Sequence, residues 1–275
     1  MKIIDGKKIR DEILEKVKRE IASLPFQPIF CDVLVGEDPS SIQYVRMKAK
    51  TAESVGIKFH NASFPAGVNT KDLINEIKIL NKMPNMCGII VQLPLPAALD
   101  RRAVLDAIDP ELDVDSLGTV ASEKFYNNSV TAGFPTALAC MKLLNSIDVD
   151  LKDKKIIVLG RGELVGRPVA ALLKFQGFSP VIVSSQTENK ETLIKQADVI
   201  ISGIGKSKFI TGNMIKKDAV LIDAGTSESE GGIVGDIDFD SVKDTAGFIS
   251  PVPGGVGPVT VAMLFNNVLK VAKQK

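Results

Sequence analysis

Tyr44 and Lys48 stand four residues apart in the segment VGEDPSSIQYVRMKAK. At helical pitch that spacing puts both side chains on one face. Ser41 and Ala52 continue the face, and neither is charged. A lysine among uncharged neighbours at the mouth of a sheet would be desolvated. Its pKa would fall, and it would become a candidate general base. An ordinary lysine is neutral at pH 7 in only roughly one molecule in a few thousand, so such chemistry requires a tuned site. Spacing alone favours a plainer alternative, a surface lysine beside a half-buried tyrosine.

Gln92 is the polar residue inside the apolar run Gly88-Ile89-Ile90-Val91-Gln92-Leu93. A buried amide needs partners, so it is either satisfied within the structure or aimed at a ligand. Leu93-Pro94-Leu95-Pro96 then stiffens the exit from the run. Asp113 and Asp115 lie in an aperiodic stretch, where an ordinary solvated acidic turn is the alternative to a binding role. Ser250 to Pro258 packs three prolines and three glycines into nine residues. That composition builds a rigid loop that lets backbone approach closely.

A third group of residues could hold a nucleotide. Lys155 to Leu159 reads as a strand running into Gly160-Arg161-Gly162-Glu163-Leu164-Val165-Gly166. The glycines form G-x-G-x-x-x-G, one residue longer than the usual dinucleotide fingerprint. Glycines let backbone approach a pyrophosphate, and the next helix offers unpaired N–H groups and a positive dipole end. A glycine-rich turn with no ligand is the alternative, but the turn follows a strand and opens a βαβ unit. The next strand ends Val183-Ser184-Ser185-Gln186-Thr187, with no carboxylate before Glu188. An NAD site would usually carry one there for the ribose 2′-hydroxyl. Hydroxyls there, with Arg161 leaving the glycine turn, would suit a 2′-phosphate. The alternative is that Arg161 is a solvated turn residue.

These groups must be carried by alternating elements. Ile9, Ile13, Leu14, Val17 and Ile21 predict a first helix starting near Asp5-Gly6. Strands are expected at 29–35, 57–64 and 87–93, and helices at about 39–55, 70–82 and 101–108. Residues 109–133 have little periodicity and read as a linker or an active-site loop. A helix over 135–146 follows. Strands at 155–159, 180–183, 199–202, 220–223 and 247–250 then alternate with helices at 166–176 and 190–197. The chain closes with a helix at 259–273. Such alternation predicts parallel sheets covered by helices. The fold class is therefore α/β: two α/β domains with a cleft between them and a boundary within 118–136.

Composition narrows the function classes. The chain has 275 residues with 34 basic and 33 acidic side chains, which gives no basic footprint for nucleic acid or an anionic membrane. A single histidine, His60, excludes a two-histidine metal motif, and Cys31, Cys87 and Cys140 are too far apart for a C-x-x-C site. No metal is expected. The charged N-terminal segment has no apolar signal core, and the most apolar stretch, Cys87 to Leu99, is interrupted by Gln92, Pro94 and Pro96. The expectation is a soluble cytoplasmic protein in a reducing compartment.

VGEDPSSIQYVRMKAK at 35–50, VQLPLP at 91–96, DVD at 113–115, GRGELVGRP at 160–168 and PVPGGVGPVTVAMLFNN at 251–267 occur in this order. Together they resemble the bifunctional methylenetetrahydrofolate dehydrogenase/methenyltetrahydrofolate cyclohydrolase family over nearly the whole chain. The resemblance implies NADP-dependent oxidation of 5,10-methylenetetrahydrofolate, followed by hydrolysis of the methenyl product to 10-formyltetrahydrofolate, a step that feeds purine biosynthesis. It implies a folate-binding catalytic domain over 1–134, completed by a returning helix at 256–275, and a Rossmann-like NADP domain over 135–255. By motif match Lys48 is the general acid/base of the hydrolysis, Tyr44 stacks on or orients the folate, Gln92 hydrogen-bonds Lys48, and Asp115 binds the pterin. Leu93, Pro253, Gly254 and Gly255 would also line the substrate site. Gly160, Arg161, Gly162, Val165, Gly166, Ser184, Ser185, Gly205 and Thr226 would contact NADP. The family is a homodimer whose nucleotide domains pair.

The chain departs from the family pattern at Leu112, at Ser116 to Gly118, at Ala132 to Phe134, at Gly162 and at Ser184 to Gln186. The set Tyr44, Lys48, Gln92 and Asp115 is intact. The nearest rival is a dehydrogenase without cyclohydrolase activity, in which Lys48 only binds substrate. A shikimate- or amino-acid-type dehydrogenase and a nucleotide-sensing binding protein are more distant rivals.

Overall fold

The computed structural model describes residues 1–129, 132–229 and 232–275. In chain order the elements are β1 (Lys2–Ile3), α1 (Gly6–Ala22), β2 (Ile29–Val35), α2 (Pro39–Ser54), β3 (Lys58–Phe64), α3 (Thr70–Leu80), β4 (Met86–Val91), α4 (Arg101–Leu105), α5 (Thr119–Tyr126) and α6 (Pro135–Leu144). There follow β5 (Ile156–Leu159), α7 (Gly166–Phe175), β6 (Val181–Val183), α8 (Lys190–Gln196), β7 (Val199–Ser202), β8 (Val220–Asp223), β9 (Ser227–Ser229), β10 (Gly232–Val234), α9 (Phe239–Val242), β11 (Phe248–Ser250) and α10 (Val256–Ala272). The chain divides into two compact units, each drawn from two stretches of sequence: Glu12–Pro135 with Leu264–Lys275, and Met1–Asp11 with Thr136–Met263.

The unit built on Glu12–Pro135 has a three-stranded parallel sheet in the order β3-β2-β4. All seven residues of the central strand β2 are buried, as a strand flanked on both sides and covered on both faces must be. Asp38 caps α2 by accepting from the Ser41 N–H at 2.7 Å, and Pro39 occupies the first turn, where its missing N–H costs nothing. Gly56 turns the chain out of α2 with φ +83°. Gly88 in β4 is a packing requirement. A Cβ there would lie 2.9 Å from Val268 of α10 and 3.0 Å from Val114. Phe265 meets Phe30 of β2 edge-on at 5.3 Å between ring centres, so residues from 264 onward seal this sheet.

The other unit has a six-stranded, fully parallel sheet in the order β1-β11-β8-β7-β5-β6. Its core includes Ile157, Leu159, Ile200, Leu221 and Ile249, each no more than 3% exposed. A separate antiparallel pair joins β9 and β10.

Several elements differ from the sequence expectation. β1 is too short to carry a periodic signal; the Lys2 N–H donates to the Gly247 carbonyl at 2.7 Å and the Ile4 N–H to Ile249 at 2.8 Å. Residues 1–11 thus go with the six-stranded sheet and not with 12–134. The aperiodic stretch 109–133, of which 130 and 131 lie outside the described residues, contains α5. That helix buries only Ala121 and Phe125, too few positions to show a period. α4 stops at Leu105. The closing helix starts at Val256, because Pro258 is tolerated in a first turn.

Candidate active site

Lys48 lies on the buried face of α2 with Ser41, Val45 and Ala52, and is only 7% exposed. The surface-lysine alternative therefore fails. Its neighbours are not all uncharged, however. Lys48 Nζ sits 2.6 Å from Oδ2 of Asp32, a fully buried carboxylate in the middle of β2. Nζ also donates to Gln92 Oε1 at 2.8 Å. Gln92 follows β4 directly. Its Nε2 donates to the Leu93 carbonyl at 2.7 Å, which turns Oε1 toward the lysine. Tyr44, one turn before Lys48, is 44% exposed, with its ring open to a ligand. Burial pushes the Asp32 carboxyl above its ordinary range, against the pull of Lys48.

The acidic pair is not a solvated turn. Asp113 is buried, and its carboxylate accepts the Gly118 N–H at 2.7 Å and the Asp115 N–H at 3.2 Å. Burial raises it to about 6, against these donors. Asp115 keeps part of its surface exposed, yet its surroundings raise its carboxyl to about 7. Burial is the main cause. Lys48 pulls the other way, and Asp113 and Asp32 push it up. Asp115 therefore shares an electrostatic neighbourhood with Lys48 and Asp32. Leu93 lines an open cavity of about 450 Å³ with Pro94, Pro96, Leu99 and Arg101, and the Leu93–Pro94 peptide is cis.

In the other unit, the glycine turn is shaped for close approach. Gly160 has φ +99°, and a Cβ on it would lie 2.8 Å from the Gly203 carbonyl oxygen. A Cβ on Gly166 would lie 2.1 Å from the Gly160 carbonyl oxygen, so both positions demand glycine. Gly162 faces open space. Val165 caps α7 without a side-chain hydrogen bond; the Arg167 N–H donates to the Gly162 carbonyl at 3.1 Å and Pro168 has no N–H, which leaves the Gly166 N–H and the positive end of this ten-residue helix for an anion. Ser184 is engaged locally: its N–H donates to Thr187 Oγ1 at 2.9 Å. Arg161, Ser185 and Thr226 are exposed, and Gly205 has φ +68°. The cradle and the missing carboxylate after β6 fit a dinucleotide that carries a 2′-phosphate. Among the described residues no cluster of His, Cys, Asp or Glu could hold a metal ion, and no helix is long and apolar enough to cross a membrane.

Pro253, Gly254 and Gly255 belong to this same unit, and the Val252–Pro253 peptide is cis. Gly254 has φ +106°. At Gly255 a Cβ would come within 2.6 Å of the Pro251 carbonyl oxygen. A Cβ on Gly6 would come within 2.0 Å of the Gly255 carbonyl oxygen. The loop's own packing thus requires glycine at 255, beyond any need of a ligand.

Four residues were missed by sequence reasoning. Asp32 carried the same signal that marked Gln92, a lone polar residue in an apolar strand. Asn267 of α10 is fully buried and donates to the carbonyls of Val114 and Gly133. Asp236 accepts from Ser202 Oγ and from the N–H groups of Ile204 and Lys206, at 2.7–2.8 Å. Asp223 accepts from the N–H groups of Gly225, Asp236 and Ile237, and burial raises it to about 6. These two carboxylates set the loops after β7 and β8, where Gly205 and Thr226 sit. A Cβ on Gly225 would collide with Asp236 at 2.2 Å.

Comparison with known proteins agrees with this geometry. Residues 4–115 match the catalytic domain of tetrahydrofolate dehydrogenase/cyclohydrolase, and residues 135–275 match its NAD(P)-binding domain. A bifunctional protein FolD from Methanoculleus marisnigri is 41% identical over 98% of this chain and 96% of its own. The crystal structure of the bifunctional FolD enzyme from Campylobacter jejuni superposes with a TM-score of 0.96 at 33% identity, covering 100% of this chain and 99% of that one. The Trypanosoma brucei methylenetetrahydrofolate dehydrogenase-cyclohydrolase, solved with NADP and an inhibitor, gives 0.92 at 34% identity, covering 99% and 97%. Two domain matches in the right order, over a chain whose lysine, glutamine and glycine turn are built as described, place this protein in the tetrahydrofolate dehydrogenase/cyclohydrolase family.

Proposed function

We propose that the chain oxidises 5,10-methylenetetrahydrofolate with NADP and hydrolyses the methenyl product to 10-formyltetrahydrofolate. The observation that carries this reading is the buried Lys48, hydrogen-bonded to Gln92 in a chain of this family. When bound, NADP supplies the hydride acceptor. Hydride loss leaves a carbon cation stabilised by the two flanking nitrogens, so the oxidation needs positioning more than acid or base. Tyr44 offers an aromatic face for the folate, and Asp115 a carboxyl for the pterin edge. Arg161 and Ser185 serve the 2′-phosphate, and the N-terminus of α7 the pyrophosphate.

In the hydrolysis, water adds to the methenyl carbon and gives one proton to the Lys48 amine. The C–N5 bond then breaks with its electron pair on nitrogen. N5 takes a proton as the hydroxyl oxygen gives one up to become the formyl carbonyl. One proton per turnover reaches solvent. The formyl product is a one-carbon donor of the kind purine assembly consumes.

We further assign folate chemistry to the unit of residues 12–135 with 264–275, NADP binding to the unit of residues 1–11 with 136–263, and a cytoplasmic homodimer as the working form. The edge strand β6 exposes Val181, and Phe175 at the end of α7 is also exposed, which supports pairing of two copies through this unit. Light scattering of the purified chain tests the dimer. A spectrophotometric assay with methylenetetrahydrofolate and either NADP or NAD, followed by hydrolysis of isolated methenyltetrahydrofolate, tests the activity. Reduction of neither cofactor, or a hydrolysis rate equal to buffer alone, would overturn the corresponding half.

A further inference from the structure

We propose that Asp32 is a positioning residue for the hydrolysis: it takes the Lys48 proton across their 2.6 Å contact, so that an uncharged amine meets the substrate without a proton first leaving the site. The inference rests on the hydrolytic role given to Lys48 above.

Asp32 occupies the centre of the sheet. Its register partners are Asn61 on β3 and Ile90 on β4, and it is fully buried. The other buried carboxylates here are served by backbone donors. Asp113 accepts the N–H groups of Asp115 and Gly118, and Asp223 those of Gly225, Asp236 and Ile237. Asp32 Oδ1 has no hydrogen-bond partner among the described residues, and Oδ2 has only the ammonium beside it. A carboxylate left without donors in an apolar strand is poorly solvated, and so is its ion pair. Moving one proton from Nζ to Oδ2 removes both buried charges at once and leaves the pair's net charge at zero. Burial favours that neutral form of Asp32. The neutral amine can still donate to Gln92, and its lone pair is then free to accept the proton of the attacking water. After that step the pair holds two protons, and one passes to solvent before the next turnover.

Other titratable groups face this pair. Asp115 feels both Lys48 and Asp32, and also Asp113. Cys31, next to Asp32, is held up at about 12 by burial and stays neutral throughout the working range. His60 stands opposite Cys31 on β3, and Tyr44 lies one turn before Lys48 on α2.

The test compares the wild-type chain with Asp32→Asn in methenyltetrahydrofolate hydrolysis from pH 6 to 9, corrected for the buffer rate. In the variant Lys48 must lose its proton to solvent. We expect a loss of at least about tenfold at pH 6 that shrinks as pH rises, the variant-to-wild-type ratio climbing by up to about tenfold per pH unit. Were Asp32 instead to stay ionised in the wild type, removing its charge would lower the Asp115 carboxyl, and that shift alone would make the ratio fall with pH, whichever form of Asp115 is active. Asp32→Glu, which keeps a carboxyl, restores the wild-type shape. NADP-linked dehydrogenation and thermal melting report folding, and Asp32→Ser replaces the asparagine variant if that fails to fold. A ratio constant with pH, at any level, or one that falls with pH overturns the proposal, as does a variant faster than wild type throughout. If the wild type itself does not hydrolyse, the function proposed for Lys48 fails first and this inference with it.

Discussion

Asn267 fixes the backbone between the two aspartates of the site: its Nδ2 donates to the Val114 carbonyl at 3.0 Å and to Gly133 at 2.7 Å. One amide from α10 therefore holds the segment that presents Asp113 and Asp115. Asn267→Leu leaves both carbonyls without a donor, at about 1–3 kcal/mol each. Urea unfolding should report a loss of about 2–6 kcal/mol for the two together. The Michaelis constant for methylenetetrahydrofolate should rise while that for NADP stays level. An unchanged folate constant would show that the tie serves stability alone.

Lys48→Met removes the proton-carrying amine. Hydrolysis should drop by at least ~10²-fold, with a smaller effect on dehydrogenation. The variant also strands Asp32, and breaking such a buried pair typically costs about 3–5 kcal/mol. Without the lysine, burial alone acts on the Asp32 carboxyl and raises it further. A carboxyl raised in the folded state lends stability below its unfolded pKa and loses it as pH rises through the folded one. The melting deficit of the variant should thus be large at pH 8 and shrink toward pH 5. A deficit independent of pH would mean that Asp32 stays in one protonation state.

Asp115 gives a second pH signature. Its carboxyl is raised to about 7, mainly by burial, so ionising it works against the fold as pH rises from about 4 to 7. Asp115→Asn has no such penalty. Its melting temperature relative to wild type should increase between pH 5 and pH 8, even as folate binding weakens. A difference that stays flat over that window would remove the premise that Asp115 is poorly solvated.

Arg161→Ala addresses the cofactor. The guanidinium leaves the glycine turn exposed, and its planar fork suits a phosphate better than a hydroxyl. The Michaelis constant for NADP should rise, and that for NAD should barely move. Preference for NADP should be modest, because Gln186 brings no charge and Glu188 adds a negative one. Equal weakening of both cofactors would assign Arg161 to the turn or the pyrophosphate, leaving the choice to Ser185.

Local signals carried most of what could be read in advance. Asp38-Pro39 started α2 and placed Tyr44 and Lys48 on one face. The glycines after β5 named their own turn, and a lone glutamine at the end of an apolar strand stood out. What escaped depends on contacts distant in sequence. Asp32 becomes meaningful only when α2 packs on β2 and sets Lys48 above it. Asn267 needs Val114, far earlier in the chain, and Asp236 needs the loop after β7. β1 has no pattern of its own and is a strand because β11 leaves an edge for it. Gly255 looked like a ligand-facing residue, but the Pro251 carbonyl already forbids a side chain there. A valine at 255 would therefore harm folding as well as binding.

The unit that holds Lys48 is assembled from Glu12–Pro135 and Leu264–Lys275. Between those stretches the ribosome makes nearly all of the other unit. Throughout that interval Phe30 waits for Phe265, Gly88 for Val268 and Val114 for Asn267. The nascent three-stranded sheet must therefore remain soluble with one apolar face bare, and hydrolytic competence arrives late in translation however early Tyr44, Lys48 and Gln92 were made.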